Sequence, residues 1–271
     1  MIKKLFIILI LFSFFKISYS QNNNAYLKEH ALPINKFDSL NMDVYNLIKN
    51  YRLIMIGEIH GTNEPVNLLD GLVSLLTNNG DSVQVGFEIP TKQMTSFIKQ
   101  RTGKSILKTE FFANPSGDGR ASIAWYNTLA HICKNKRVKI FFFDMNINQS
   151  GEADSLMYLN IKSNIQKHPK WKTITISGNV HNMILPLEGQ KKTGNFLMLD
   201  KDLNMADKIC SLNFEYESGE TLWDELKAWP SIYSKLGYNK YLFLYSNDTK
   251  ESYHGIFFTK YLTKSGSAVA K

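Results

Sequence analysis

Four apolar runs punctuate the chain, and each stops at a polar residue. They are Leu53 to Ile56, Val83 to Phe87, Val138 to Phe143 and Thr173 to Ser177. Runs this short and uniformly apolar predict strands buried on both faces, as in a parallel sheet. Between them the apolar period changes to three or four. Glu64 to Asn78 repeats Val66, Leu69, Leu72, Val73, Leu75 and Leu76, with Pro65 suited to a first helical turn and Asn79-Gly80 to a stop. Thr91 to Arg101, Ala121 to Lys136 and Glu152 to Lys167 read as further helices. Pro33 to Asn50, with Ile34, Phe37, Leu40, Val44 and Leu47, reads as an amphipathic helix leading into the first strand. Strands alternating with helices predict an α/β fold: a mostly parallel sheet with right-handed crossovers and helices on both faces.

The pattern then loosens. Phe196 to Leu199, Ile209 to Tyr216, Tyr241 to Tyr245 and Ile256 to Thr259 predict extra C-terminal strands, expected to pair as antiparallel edges. Leu222 to Lys227 and Ser231 to Leu236 read as short helices. Thr102 to Arg120 is irregular, with Gly103, Pro115, Gly117 and Gly119 beside Phe111 and Phe112. It is either a binding loop or a surface excursion whose phenylalanines tuck into the core.

The start of the chain stands apart. Lys3 and Lys4 precede an apolar run from Leu5 to Phe15, and Ser18-Tyr19-Ser20 places small residues before Gln21. This is a signal-peptide pattern, too short to span a bilayer comfortably. Residues 1–20 are therefore expected to be a leader and 21–271 one α/β domain, exported to the periplasm or the extracellular space with no stable membrane anchor. Loss of Lys3, Lys4 and Lys16 lowers the formal charge from +8 to about +5. The remaining lysines are scattered, with no basic stripe interleaved with aromatics, so nucleic acid is not expected as a partner. Cys133 and Cys210 fit neither a CxxC metal site nor a disulfide scaffold; they read as two core thiols, with a single disulfide between them as the alternative that export permits.

Candidate chemistry gathers at the strand ends. Gly57-Glu58-Ile59-His60 and Gly178-Asn179-Val180-His181 share the form G-x-x-H, each just after a predicted strand. The second and third strands end at Glu88 and Asp144. Parallel sheets bind ligands outside the carboxyl ends of their strands, so all four groups are expected at one edge. Two imidazoles with carboxylates support either of two chemistries. Neutral His60 and His181 can hold a divalent metal that acidifies water. Without metal, a carboxylate-oriented histidine serves as general base while the other acts on the oxyanion or leaving group. Arg120, after Ser116-Gly117-Asp118-Gly119, either reaches this edge to bind an anionic group or starts a helix in solvent. Trp125 and Tyr126 line a pocket or the core. His30, His131, His168 and His254 fall outside the constellation. The chain has no G-x-S-x-G elbow, P-loop or G-x-G-x-x-G, which removes support for the common serine hydrolases and for nucleotide folds of those two types.

Taken together, Ile56-Gly57-Glu58-Ile59-His60-Gly61-Thr62, Gly86-Phe87-Glu88, Trp125-Tyr126-Asn127 ahead of Phe143-Asp144, and Gly178-Asn179-Val180-His181-Asn182 resemble a known superfamily. It groups the erythromycin esterases, ChaN-type haem-uptake proteins and TraB/TIKI-type proteins, and the resemblance runs from about Leu53 to Asn182. It implies a doubly wound α/β core and a site built from His60, Glu88 and His181, with Glu58 and Asp144 nearby. The esterase branch implies water-mediated ester opening, the TIKI branch metal-dependent peptide hydrolysis, and the ChaN branch haem binding. The combined expectation is an exported hydrolase acting on a small-molecule or peptide ester or amide. His60, Glu88, His181 and Glu58 are its catalytic groups, and Asp144, Arg120 and Asn179 contact substrate. The alternative is a haem- or cofactor-binding uptake protein without catalysis.

Overall fold

The computed structural model describes residues 26–115, 117–144, 152–221, 225–227, 236–246 and 251–268. The expected leader, the segment 231–235 and the first residues of 222–227 lie outside them. A nine-stranded sheet runs in the order β1-β8-β9-β6-β2-β5-β3-β4, with β7 paired to β6. In chain order the elements are β1 (Leu32–Pro33), α1 (Met42–Ile48), β2 (Leu53–Glu58), α2 (Glu64–Asn78), β3 (Val83–Pro90), α3 (Thr95–Gln100), α4 (Gly103–Ile106), α5 (Glu110–Ala113) and α6 (Ile123–Ile132). There follow β4 (Val138–Asp144), α7 (Ala153–Lys167), β5 (Lys172–Gly178), a 3-10 turn (Asn179–Asn182), α8 (Thr193–Leu199), β6 (Ile209–Glu220), β7 (Glu225–Lys227), β8 (Lys240–Leu244) and β9 (Gly255–Leu262).

Strand alternation sorts the core into two layers. On β2, Ile54 and Ile56 join the larger cluster with α2 and α6, whereas Leu53 and Met55 join Phe141, Phe143 and the Met157, Ile161 and Ile165 stripe of α7. Helices thus cover both faces. β2 hands the chain to α2 on one face, and β5 hands it to α8 on the other, although β2 and β5 are neighbours. Adjacent strands whose connections leave in opposite directions open a crevice at their carboxyl ends. His60 and His181 follow those two strands.

Several elements differ from the sequence expectation. The apolar run at Phe196 is helix α8 rather than a strand. Four consecutive apolar residues carry no period, and here Leu197 is buried while Phe196 stacks on Tyr158 with ring centroids 5.4 Å apart. The long helix expected before β2 is confined to α1, because Pro33 belongs to β1 and the Asn41 side chain caps the helix by accepting from Val44 N–H at 3.2 Å. Residues 225–227 form a strand rather than helix. β8 is antiparallel to β9 as expected, but β6 is parallel to β2 and β9 is parallel to β6. The segment Thr102 to Arg120 contains α4 and α5 and buries Phe111 and Phe112. No helix among the described residues is long and apolar enough to cross a membrane, and Cys133 and Cys210 are free thiols.

One local device shapes the carboxyl edge. β6 pairs with β2 only through Leu212 and then turns to β9. The Asn179 amide takes the vacated place: its Nδ2 donates to Phe214 O at 3.2 Å and its Oδ1 accepts from Phe214 N–H at 3.1 Å. Gly57 makes room, since a Cβ there would stand 1.9 Å from Asn179 Oδ1 and 3.0 Å from Leu212 O. Beyond β9, the segment 263–268 crosses this edge, with Ser265 N–H donating to Gly61 O at 2.8 Å and Ile123 N–H to Gly266 O at 2.8 Å. Substituting Gly57→Ala is expected to destabilise the fold by about 1–3 kcal/mol, the usual cost of overpacking. Thermal unfolding of the variant, read as a lowered Tm against wild type, checks this.

Candidate active site

Each histidine is held by its own carboxylate. Gly61 takes a left-handed φ of 79° and Thr62 Oγ1 donates to Ile59 O at 2.6 Å, closing a tight turn after β2. That turn folds His60 back so that its Nδ1 lies 3.0 Å from Glu58 Oε1. Glu58 is buried, and the same oxygen accepts the Trp125 indole N–H at 3.1 Å. His181, on the 3-10 turn after β5, places its Nδ1 2.8 Å from Asp154 Oδ1. Asp154 also caps α8, accepting from Thr193 N–H at 3.0 Å and from its hydroxyl at 2.8 Å. When a carboxylate takes the Nδ1 proton, the tautomer is fixed and Nε2 is left to face the site.

The two imidazoles share one small space. A Cβ placed on Gly178 would stand 3.6 Å from His60 Nε2 and 3.7 Å from His181 Cδ2. The rings are therefore no farther apart than the sum of those two distances, with only the bare glycine between them. Both side chains remain partly open to solvent, 30% for His60 and 28% for His181, so water reaches them.

Arg120 organises the acidic side of the same edge. Gly119, at φ 86°, packs its backbone on Gly61, where a Cβ would approach Gly61 Cα to 2.6 Å, and so delivers the next residue to the site. The Arg120 Nη1 donates to Glu88 O at 2.7 Å, Glu88 Oε1 at 3.2 Å and Asp144 Oδ2 at 3.2 Å. Its Nε and Nη2 donate to Asp118 Oδ2 at 2.9 and 2.7 Å. A register shift in β3 between Phe87 and Pro90 turns Glu88 toward this contact. The other Glu88 oxygen accepts Gly178 N–H at 2.7 Å, and Oε1 is 3.8 Å from His181 Nε2.

Charge placement sets the proton affinities. Burial lowers the pKa of His60, but Glu58 and then Glu88 outweigh it, and the net shift is upward. Burial likewise lowers His181, and its hydrogen bond to Asp154 and the charge of Glu88 more than reverse this. Burial raises Asp154, yet its bonds to His181 and Thr193 hold it below the usual carboxylate value. The Arg120 guanidinium is raised, because Glu88, Asp118 and Asp144 overcome its burial.

The structure thus brings Glu58, His60, Glu88, Arg120, Asp144 and His181 to one edge. Their roles differ from the expected ones in three respects. The carboxylates that orient the imidazoles are Glu58 and Asp154, while both oxygens of Glu88 already serve Arg120 and Gly178. Asn179 spends its amide on the β6 backbone. Arg120 turns inward to three carboxylates rather than outward to solvent. Asp154 and Asp118 escaped sequence reasoning. The available signal for Asp154 was an acidic residue in the first turn of the helix after β4, a feature shared by many ordinary helices.

A divalent metal does not fit this donor set. A cation, Arg120, already occupies the place between Glu88 and Asp144. Among the described residues no group of three or more His, Cys, Asp or Glu side chains is arranged to hold a metal ion.

No protein-family model and no curated protein matches the chain. Solved structures do match. A Bacillus cereus protein superposes with a TM-score of 0.71 at 10% identity, over 92% of this chain and 99% of its own. A succinoglycan biosynthesis protein gives 0.69 at 10% identity, again over 92% and 99%. A mutant of the erythromycin esterase EreC in its open conformation gives 0.64 at 9% identity, over 89% and 100%. At such identities the likeness shows the fold alone: this chain shares its α/β architecture with the esterase.

Proposed function

We propose that the chain is an exported hydrolase that activates water with His60 to open an ester or amide. The observation that carries this reading is the pair of imidazoles, each locked through Nδ1 by a buried or half-buried carboxylate, on either side of Gly178. The esterase named among the structures that share the fold supports an ester as substrate. The leader pattern at residues 1–20 supports export.

The chemistry follows from the tautomers. Neutral His60 accepts a proton from water at Nε2 while the water oxygen attacks the carbonyl carbon. Glu58 stabilises the imidazolium that forms, as the buried carboxylate of a hydrolase triad does. His181, whose protonated form Asp154 and Glu88 favour, donates from Nε2 to the developing oxyanion and then to the leaving oxygen or nitrogen as the bond to carbon breaks. Arg120 holds Glu88 and Asp144 in place, and Glu88 fixes the Gly178 backbone between the two rings.

A panel of esters and amides tests this. Turnover is expected for at least one, and His60→Ala and His181→Ala are each expected to lower kcat/KM by about 10²-fold or more with an unchanged circular dichroism spectrum. Because the rings act as one unit, the double variant should be little worse than either single one. Losses that simply multiply, or a Soret shift with haem and no turnover, would replace this reading with separate roles or with a binder.

Gly178→Ala is a sharper probe. Its φ of −49° and ψ of 140° suit alanine, and the new methyl would meet the rings at ordinary contact distance, so the fold is expected to survive. The methyl would stand where water and carbonyl must meet, and kcat/KM should fall on the order of 10²-fold. An active Gly178→Ala enzyme would place the chemistry elsewhere.

The pH profile should be bell-shaped. Activity needs His60 neutral and His181 protonated, and both are raised above the ordinary value of 6.5, so both limbs should lie above that pH. Asp154→Asn removes the carboxylate that raises His181. Its descending limb should therefore move to lower pH while the ascending limb stays, measured as kcat/KM against pH.

A further inference from the structure

We infer that the open edge of β4 carries a second binding site, apart from the candidate active site, for an organic oxyanion: a phosphate, sulfate or carboxylate attached to an apolar body. Among the described residues β4 is the last strand of the sheet and pairs only with β3. A cavity of about 320 Å³ lies against its free edge, with Phe97, Ile98, Arg101, Lys139, Asn164 and His168 among its walls. A second cavity of about 310 Å³ shares Arg101 and Lys139 and continues to Lys134 and Lys136. Volumes of this size are at the lower end of small-ligand sites, roughly 300–1,000 Å³.

Four permanent cations, Arg101, Lys134, Lys136 and Lys139, therefore line two neighbouring cavities that share Arg101, Lys139 and Ile140. Among the described residues none of them has a carboxylate within ion-pair distance. The Lys139 ammonium instead lies 3.3 Å from His168 Nε2 and 5.0 Å from the Trp171 ring centroid. Burial, then Lys139 and Lys167, push the His168 pKa down, so the imidazole adds a neutral polar wall. Like charges gathered without counterions raise the local potential and favour an anion.

Arg101 is the most telling of the four. Its backbone is left-handed, φ 52° and ψ 40°, at the end of α3. A side chain there costs about 1–2 kcal/mol that glycine would avoid. The position nevertheless carries a long cation lining both cavities. Lysine on a strand edge discourages edge-to-edge pairing, which accounts for Lys139 but not for Arg101, which lies outside the strand. The apolar part of the ligand has a surface as well: Ile98 is 46% exposed, beside the Phe97 and Phe142 rings that pack edge to face at 5.9 Å. Asp144 lies five positions beyond Lys139 on β4, about 16 Å along the strand, so this site and the carboxyl edge are distinct.

Anilinonaphthalene sulfonate and its uncharged counterpart phenylnaphthylamine test the assignment by fluorescence titration of the full chain. The sulfonate is expected to bind saturably, to weaken as salt rises, and to be displaced by inorganic pyrophosphate. The uncharged dye should bind at least about tenfold more weakly. Arg101→Gly, which suits the backbone, and Lys139→Gln should together weaken the sulfonate about tenfold with an unchanged circular dichroism spectrum. His60→Ala should leave its affinity intact. Equal affinity for the two dyes, full affinity in the Arg101→Gly/Lys139→Gln protein, or loss of affinity in His60→Ala would each overturn the assignment.

Discussion

The carboxyl edge of the sheet depends on a single guanidinium. Glu88, Asp144 and Asp118 arrive from two strands and a loop, and all three turn toward Arg120. Without that cation three carboxylates would converge in a partly buried space, at a cost larger than any one hydrogen bond there returns. Arginine suits this place better than lysine because its planar fork addresses several acceptors at once. Under the proposed function, this guanidinium holds the acidic cluster together while the two histidines exchange protons with the substrate.

Topology then decides where those histidines meet. β5 lies between β2 and β3, so the chain leaves neighbouring strands β2 and β5 toward opposite faces. The two G-x-x-H segments start one residue out of register, since Gly57 lies opposite Ser177 and Glu58 opposite Gly178 on the paired strands β2 and β5. Their glycines do different work. Gly57 admits the Asn179 amide that stands in for a strand partner of Phe214, and Gly178 leaves the gap between the rings. The echo in the sequence therefore marks one pair of turns at one edge, built by unlike local means.

Legibility in the sequence followed the strength of local pattern. β2, α2, β3, β4, α7 and β5 were readable because each combines a clear period with a terminating glycine, proline or polar residue. The same strand-end logic gathered Glu58, His60, Glu88, Asp144 and His181. What was not readable depends on long-range partners. Asp154 is one acid among several at a helix start until the fold brings Thr193 and His181 to it. Asp118 becomes part of the edge only because Gly119 and Gly61 pack backbone to backbone. Phe196 to Leu199 lacked a period to distinguish helix from strand, and α8 was fixed by tertiary contact. The orienting carboxylate of His181 is encoded 27 positions before the histidine, with a whole strand between them.

The segment 263–268 has a bearing on how the molecule comes into being. It laces the turn that carries His60 to the start of α6: Asn63 N–H donates to Thr263 O, Ser265 N–H to Gly61 O, and Ile123 N–H to Gly266 O. The Glu64 carboxylate accepts both the backbone N–H and the hydroxyl of Thr263, contacts that span 199 positions. Such contacts close very long loops, and their entropy must be met before they return anything. During synthesis the β2 turn emerges early and waits for a strap made near the end. The sheet and its helices can consolidate first, while the geometry around His60 is completed late. A nascent chain long enough to fold most of its core would still lack an ordered carboxyl edge, which separates the folding of the core from the completion of the site.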